Sequence, residues 1–277
     1  MTMNSINTNS QALIALQSLN STNGQMSVTQ KRVSTGYRVA DSKDDGGAFA
    51  VAQSVRADVA GLTAANEQLG GTKGVLETTF AALGKISDTM VKVRETLTRL
   101  ADGGLSSDQR TQYEAQYGAL RTQIQNFVED ATYNGRTLLN TEATAGGGEI
   151  ITTRNEAGSV FTLSAIDGAG TLVIAATPTS AADAQAALGS GGDFGTVEAA
   201  IATALNTFGS DSNYIDNQIK YNKDKIDSLE GGLGALIDAD LAKESAKLQA
   251  LQIRQQLGTQ ALSISNQSPQ MLLSLFR

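Results

Sequence analysis

Apolar side chains recur every seven positions through the stretch 48–100: Val55, Leu62, Leu69, Leu76, Leu83, Met90 and Leu97, without a miss. A second series interleaves through Ala65, Ile86, Val93 and Leu100, with Phe80 covering a gap. Sustained apolar heptads predict one long helix with a narrow seam packed on other helices. Gly61, Gly70, Gly71 and Gly74 lie in this helix, each weakening it by up to ~1 kcal/mol relative to Ala. Close approach of another element, or a bend, would account for them.

The segment "ADGGLSSDQ" ends that helix at Gly103 and Gly104, and Ser106 with Gln109 reads as a capping box for the next one. The following helix carries Tyr113, Tyr117, Leu120, Ile124 and Phe127 at alternating spacings of four and three. It stops near "ATYNGRTLLN", where Asn134-Gly135 is a turn signal. Residues 141–195 are rich in Gly, Thr and Ser, and "EIITT", "SVFTLSAI" and "TLVIAA" predict three short strands joined by "RNEAG" and "DGAG" turns. Past the linker-like "GSGGDFG", Ile219, Ile226 and Leu233 form one heptad series and Asn222, Leu229 and Leu236 another. From Asp238 the apolar residues continue, with slips in phase, through Leu241, Leu248, Leu251, Leu257 and Leu262. The expected fold is mainly α: long antiparallel heptad-patterned helices forming a coiled-coil rod, with a small insertion containing a β-hairpin. Antiparallel helices would bring both termini to one end.

Composition narrows the chemistry. Of 277 residues 40% are hydrophobic but only 5% aromatic, which suits helices packed by Leu, Ile, Val and Ala better than a thick globular core. A net charge of −7 disfavours nucleic acid and anionic membrane as partners. The chain contains no Cys and no His, removing disulfides, thiolate metal sites, the usual zinc ligand, the usual general base and any Ser-His-Asp triad. "DSKDDGG", Asp41 to Gly47, has the acids of a calcium loop, but Lys43 sits at a ligand position and Ala52 where the bidentate Glu belongs. A solvated turn or helix cap is the better reading. The glycine clusters contain no G-x-G-x-x-G and read as loops. The N-terminus lacks the basic start, long apolar block and cleavage site of a secretory signal, so two matches to the glycosylation sequon, at Asn20 and Asn266, carry no weight. No catalytic, metal or cofactor site is expected.

The two ends resist the bland explanation of an intramolecular bundle. "QSPQMLLSLFR" closes on Met271, Leu272, Leu273, Leu275 and Phe276, together able to contribute roughly 7–15 kcal/mol if fully buried. Ordering each residue costs about 1–2 kcal/mol, so the strip gains order only when a partner covers it. Pro269 is expected to interrupt the preceding helix and set the strip off as a separate docking piece.

These residues carry a family resemblance. "INTNSQALIALQSLN" followed by "QKRVSTGYRVADSKDDGGAFAVAQSV" resembles the N-terminal signature of bacterial flagellins, as do "ATYNGRTLLN" and the C-terminal "DADLAKESAKLQALQIRQQLGTQALSISNQSPQMLLSLFR". The likeness spans residues 3–142 and 196–277, and the short middle resembles the reduced outer region of small alphaproteobacterial flagellins. It implies a structural subunit that is exported unfolded through the flagellar type III apparatus and polymerises under a cap into the extracellular swimming filament. Segments 1–40 and 238–277 would form an inner coiled coil, 41–142 and 196–237 the central helical rod, and 143–195 the outer region. The implied polymerisation interface comprises Ile6, Leu13, Leu16, Leu262, Met271, Leu272, Leu273, Leu275 and Phe276. Implied partners are further copies of the chain in a helical filament, sibling flagellins, the export apparatus with a chaperone, and cap and junction proteins. No nucleic acid or membrane is among them. A motif recognised by the vertebrate innate receptor in other flagellins falls on Lys92, Arg94, Glu95 and Thr96; Lys92 and Thr96 stand where Arg and Leu are usual, which implies weak recognition.

The nearest alternative is a hook–filament junction protein, which shares both terminal patterns; the "LSLFR" ending favours the filament subunit. A peptidase in the outer region is disfavoured by the missing His and by the short Gly-rich insert. A membrane-active helix is disfavoured by the acidic charge and the Gln, Ser and Asn-rich polar faces.

Overall fold

The computed structural model describes residues 9–143 and 146–274, with side chains defined as far as Gln267. The helices are α1 (Ser10–Thr35), α2 (Gly46–Leu100), α3 (Ser107–Glu129), α4 (Gly168–Thr171), α5 (Ala181–Leu188), α6 (Asp193–Ile237) and α7 (Leu241–Ser274). Two strands, β1 (Ile150–Thr153) and β2 (Val160–Leu163), form one antiparallel hairpin. The fold is therefore mainly α, with a small β insertion. The chain divides into two compact units, one from Met1–Ala57 and Ser228–Arg277, the other from Asp58–Asp227.

In the second unit, Leu62, Leu69, Leu76, Leu83, Met90 and Leu97 are all at most 3% exposed. The companion series is unbroken as well: Ala65, Thr72, Thr79, Ile86, Val93 and Leu100 are buried. Thr72 and Thr79 fill the gap that the hydrophobic pattern assigned to Phe80, which is only half-buried. Each threonine hydroxyl donates to the carbonyl four residues back, Gln68 O at 3.0 Å and Val75 O at 2.9 Å. A threonine so satisfied occupies a seam position without stranding a polar group.

The facing helix α6 runs antiparallel to α2. Asn66 bonds Asn222, Lys73 bonds Asp216 at 2.6 Å and Arg94 bonds Glu198 at 2.7 Å. Phe194, Ile201, Phe208, Ile215 and Asn222 are buried at seven-residue intervals along it. Helix α3 opens on the expected capping box, Ser106 and Gln109 bonding reciprocally at 3.1 and 3.3 Å, and buries Tyr117, Ile124 and Val128. Arg110 donates to Leu100 O and Asp102 O, both at 3.1 Å, and so closes the end of α2.

Two sequence expectations in the middle region are corrected. No third strand forms from "TLVIAA": Leu172 and Ile174 are buried in the core, and side chains take the backbone groups a sheet would need. Arg121 Nε donates to Ile174 O at 3.0 Å, and Ala175 N donates to Asp193 Oδ2 at 3.0 Å. The "GSGGDFG" stretch is not linker throughout, since α5 ends at Leu188 and α6 starts at Asp193.

In the first unit, α1 and α7 pack antiparallel: Asn9 meets Ser265, Leu19 meets Gly258, Asn23 meets Gln255 and Arg32 meets Glu244. Both helices stop at one clamp. Gly36 takes the left-handed conformation that ends α1 (φ 76°), Ala239 N donates to Gly36 O at 2.8 Å and Val39 N to Ile237 O at 3.2 Å. Val39, Ala52 and Ile237 form a small core there, flanked by Phe49. The expected break at Pro269 does not occur, for α7 continues as helix to Ser274.

Candidate functional site

Helices α1 and α7 meet through heptad positions that are mostly small or polar. On α1 the inward residues are Ala12, Ala15, Leu19, Thr22, Met26, Thr29 and Val33; on α7 they are Glu244, Leu248, Leu251, Gln255, Gly258, Leu262 and Ser265. A methyl on Gly258 would lie 3.3 Å from Leu19 Cδ1, so the backbones approach closely at that level. Arg32 Nη1 lies 3.1 Å from Glu244 Oε1. Thr29 Oγ1, Arg32 Nε, Glu244 Oε2 and Ser265 Oγ are buried without a hydrogen-bond partner. Such groups lose their hydration without a hydrogen bond in return, although Lys247 Nζ lies 4.0 Å from Glu244 Oε2.

Several large apolar side chains face outward. Leu13, Ile14, Leu16 and Val28 on α1 are 43–67% exposed, and Ile253, Leu257 and Ile264 on α7 are 59–64% exposed. The seam thus mixes Leu19, Met26, Val33, Leu248, Leu251 and Leu262 with buried polar groups, while a set of large apolar side chains is left uncovered outside it. Of the interface residues expected from sequence, Leu13 and Leu16 belong to this outward face. Leu262 does not: it is half-buried in the seam. Ile6 and the side chains of Met271, Leu272, Leu273, Leu275 and Phe276 lie outside the described residues. Sequence reasoning missed Ile14, Val28, Ile253 and Ile264; subtracting the seam positions from each helix would have found them.

The expected seam residues Leu62 to Leu97 are buried, and Val55, near the start of α2, is half-buried. Within the receptor-like motif, Lys92 is exposed, Arg94 lies over the Phe194 ring at 4.9 Å, and Glu95 is engaged by Arg99. Thr96 is 2% exposed, its hydroxyl given to Lys92 O at 2.9 Å.

The acidic loop carries its own cation. Lys31 Nζ sits 2.7 Å from Asp41 Oδ2 and 2.8 Å from Asp44 Oδ2, where a metal would otherwise have to bind, while Asp45 Oδ1 accepts from Ala48 N at 3.0 Å at the start of α2. The Lys31 ammonium holds both carboxyls below their ordinary range, and they hold Lys31 above its own. Among the described residues no cluster of acidic side chains is arranged to hold a metal ion. Nor is any helix there long and apolar enough to cross a membrane.

Comparison with known proteins agrees with this geometry. Residues 6–144 match the model of the bacterial flagellin N-terminal helical region, and 194–276 that of the C-terminal helical region. The chain is 37% identical to flagellin FljK of Caulobacter vibrioides over the whole length of both proteins. It is 35% identical to a flagellin of Brucella melitensis, over 99% of this chain and 100% of that one. Flagellin C of Rhizobium meliloti is 29% identical, over 99% of this chain and 100% of its own. With both terminal regions matched in order and relatives similar from end to end, the chain belongs to the bacterial flagellin family and is a structural subunit of the flagellar filament.

Proposed function

We propose that the outward faces of α1 and α7 are the polymerisation surface, so that segments 1–40 and 238–277 pair as the inner coiled coil of the filament. Segments 41–142 and 196–237 then make the surrounding helical rod, and 143–195 a reduced outer region. The observation that carries this reading is the set of large apolar side chains left uncovered on the helix pair, Leu13, Ile14 and Leu16 on α1 and Ile253, Leu257 and Ile264 on α7. Burying each exposed Leu or Ile against a neighbouring copy contributes roughly 1.5–3 kcal/mol before the costs of association. A seam diluted by Thr29, Glu244, Gln255 and Ser265 contributes less than an all-apolar one, so the ends gain further order from other subunits. Contacts that repeat head to tail without closing generate a helical polymer. Ile6 and the terminal Met271, Leu272, Leu273, Leu275 and Phe276 extend the same apolar supply in sequence.

The reading is of a secreted, extracellular material that performs no chemistry and needs no cofactor. The absence of His and Cys agrees with it. Export through the flagellar apparatus, with a chaperone covering 238–277, follows from the same exposed stripe; unchanged chaperone binding after deletion of 238–277 would refute that part. Sibling flagellins, the cap and junction proteins are the further partners. Innate-receptor recognition is weak in this reading, because Thr96 is buried and Arg94 is occupied by Phe194 and Glu198. A reporter-cell response equal to that of an enteric flagellin would contradict it.

The decisive experiment pairs an outward and an inward substitution. Leu257→Asp with Ile264→Asp is expected to abolish seeded filament growth while leaving the circular dichroism of the free chain unchanged. Normal filaments from that double variant would sink the proposal. Leu251→Asp, at a position only 3% exposed, is expected to destroy the helix pair itself.

A further inference from the structure

Helix α7 crosses Pro269 without stopping. In an α-helix the carbonyl of residue 265 accepts from the N–H of residue 269. Proline has no N–H, and a proline inside a helix costs about 3 kcal/mol or more. Ser265 is only 9% exposed, so water is poorly placed to satisfy its carbonyl.

A side chain from the other end of the chain supplies the missing donor. Asn9 Nδ2 donates to Ser265 O at 2.8 Å. The other atom of the same amide is used as well: Asn9 is the N-cap of α1, and its Oδ1 accepts from Ala12 N at 3.1 Å. These two bonds fix which way the amide points. Among the residues that cap helices well, Ser and Thr lack the reach of an amide. Asp caps equally well but is acceptor-only when ionised, so it would set an oxygen against the Ser265 carbonyl.

We propose that Asn9 is a positioning residue that carries α7 across Pro269, replacing a backbone donor that the sequence of α7 cannot provide. Pro269 keeps the last turns of α7 from closing by themselves, and the cap of α1 completes them. The two chain ends, 256 residues apart in sequence, therefore become helical together. Helix on both sides of Pro269 forms only in a subunit whose termini have paired. The proposal rests on the filament assignment for its readout, but its logic is internal to the chain.

A double-mutant cycle tests it, reading the critical concentration for seeded polymerisation of the full-length protein. Asn9→Asp keeps the cap and removes the donor, and is expected to raise the critical concentration roughly tenfold, in line with loss of a bond to a buried carbonyl. Pro269→Ala restores the N–H at position 269. In that background Asn9→Asp is expected to cost less than about twofold, because the Ser265 carbonyl no longer depends on residue 9. If Asn9→Asp alone does not polymerise, growth of the double variant still supports the proposal. Equal loss in both backgrounds, no loss in either, or a Pro269→Ala chain that fails to polymerise would overturn it. Failure of the unmodified chain to extend seeds would instead count against the assembly reading.

Discussion

Gly61 on α2 lies directly beneath Glu156, in the turn between β1 and β2. A methyl at Gly61 would sit 3.1 Å from Glu156 Cβ and 3.3 Å from its Cα. The same turn is tied to α6 by the ion pair of Glu156 with Lys225. Gly61 is therefore the floor on which the hairpin turn rests, and the glycines of α2 are not equivalent. Gly61→Val is expected to destabilise the chain by about 1–3 kcal/mol in urea unfolding, since the turn backbone must shift. Gly70→Ala, with nothing within 4 Å of the added methyl, is expected to stabilise by up to ~1 kcal/mol. Equal stabilities for the two variants would show that the turn tolerates displacement.

Asn222 anchors the other side of that turn. It is fully buried; its Nδ2 donates to Asn66 Oδ1 at 2.9 Å and to Arg154 O at 3.0 Å, and its Oδ1 accepts from Gln218 Nε2 at 2.9 Å. Replacing it by Leu takes the donor from Asn66 Oδ1 and leaves Arg154 O with only Gln218 Nε2, at 3.2 Å, a cost of about 1–3 kcal/mol. Local opening of the turn should then become about tenfold or more frequent. Because Arg154 is itself a trypsin site, the rate of cleavage there, followed by mass spectrometry, reads this opening. An unchanged rate in Asn222→Leu would show that Gln218 alone holds the turn.

These two anchors mark where sequence patterning stops. Heptads of Leu and Met expose the α2 seam because apolar burial is itself periodic. Reciprocal Ser106 and Gln109, and the Asn134-Gly135 turn with both residues at positive φ (50° and 73°), are local chemistry and equally legible. Thr72 and Thr79 occupy seam positions as polar residues, so hydrophobicity skips them although their spacing does not, whereas the heptad spacing picks out Asn222 but not its partners. The missing third strand and the unbroken helix at Pro269 have a different cause. In each, a backbone group is satisfied by a side chain distant in sequence, Arg121 for Ile174 and Asn9 for Ser265, and no local signal reports that partner. The outward face of α1 and α7 lay between these cases. Its residues were visible as apolar, but their direction depended on a seam that the phase slips obscured.

The Lys31 cluster gives a pH signature. Hydrogen bonding to Lys31 is the main cause lowering Asp41 and Asp44 from their ordinary value of 3.8, and it raises Lys31 from 10.5. For the depressed carboxyls, the stabilisation is complete above 3.8 and disappears as pH falls through their lowered values. For the raised ammonium, it is complete below 10.5 and disappears as pH rises through the higher value. Lys31→Gln should therefore lower the thermal midpoint at neutral pH, with the gap to the unmodified chain closing toward both strongly acid and strongly alkaline conditions. A gap that stays constant across pH would mean that Lys31 acts through packing of its stem.

Tyr117 supplies an alkaline signature of the second unit. It is 2% exposed, and its hydroxyl makes only a long contact, 3.4 Å, to Ala175 O. Burial, with the charge of Asp193 adding to it and Arg121 opposing, pushes its phenol up to about 12 from 10.0. A raised acid pKa means that folding favours the neutral form. The associated stability is fully present below pH 10 and is lost as pH rises through 12. In a phenolate absorbance titration Tyr117 should give a late step, at about 12, and Tyr117→Phe should remove it. Because the hydroxyl has so weak a partner, Tyr117→Phe should hardly change stability at neutral pH and should gain relative to the unmodified chain above pH 10. A late step that persists in Tyr117→Phe would assign the buried phenol to another residue, and a large loss of stability at neutral pH would show that the contact to Ala175 is a real hydrogen bond.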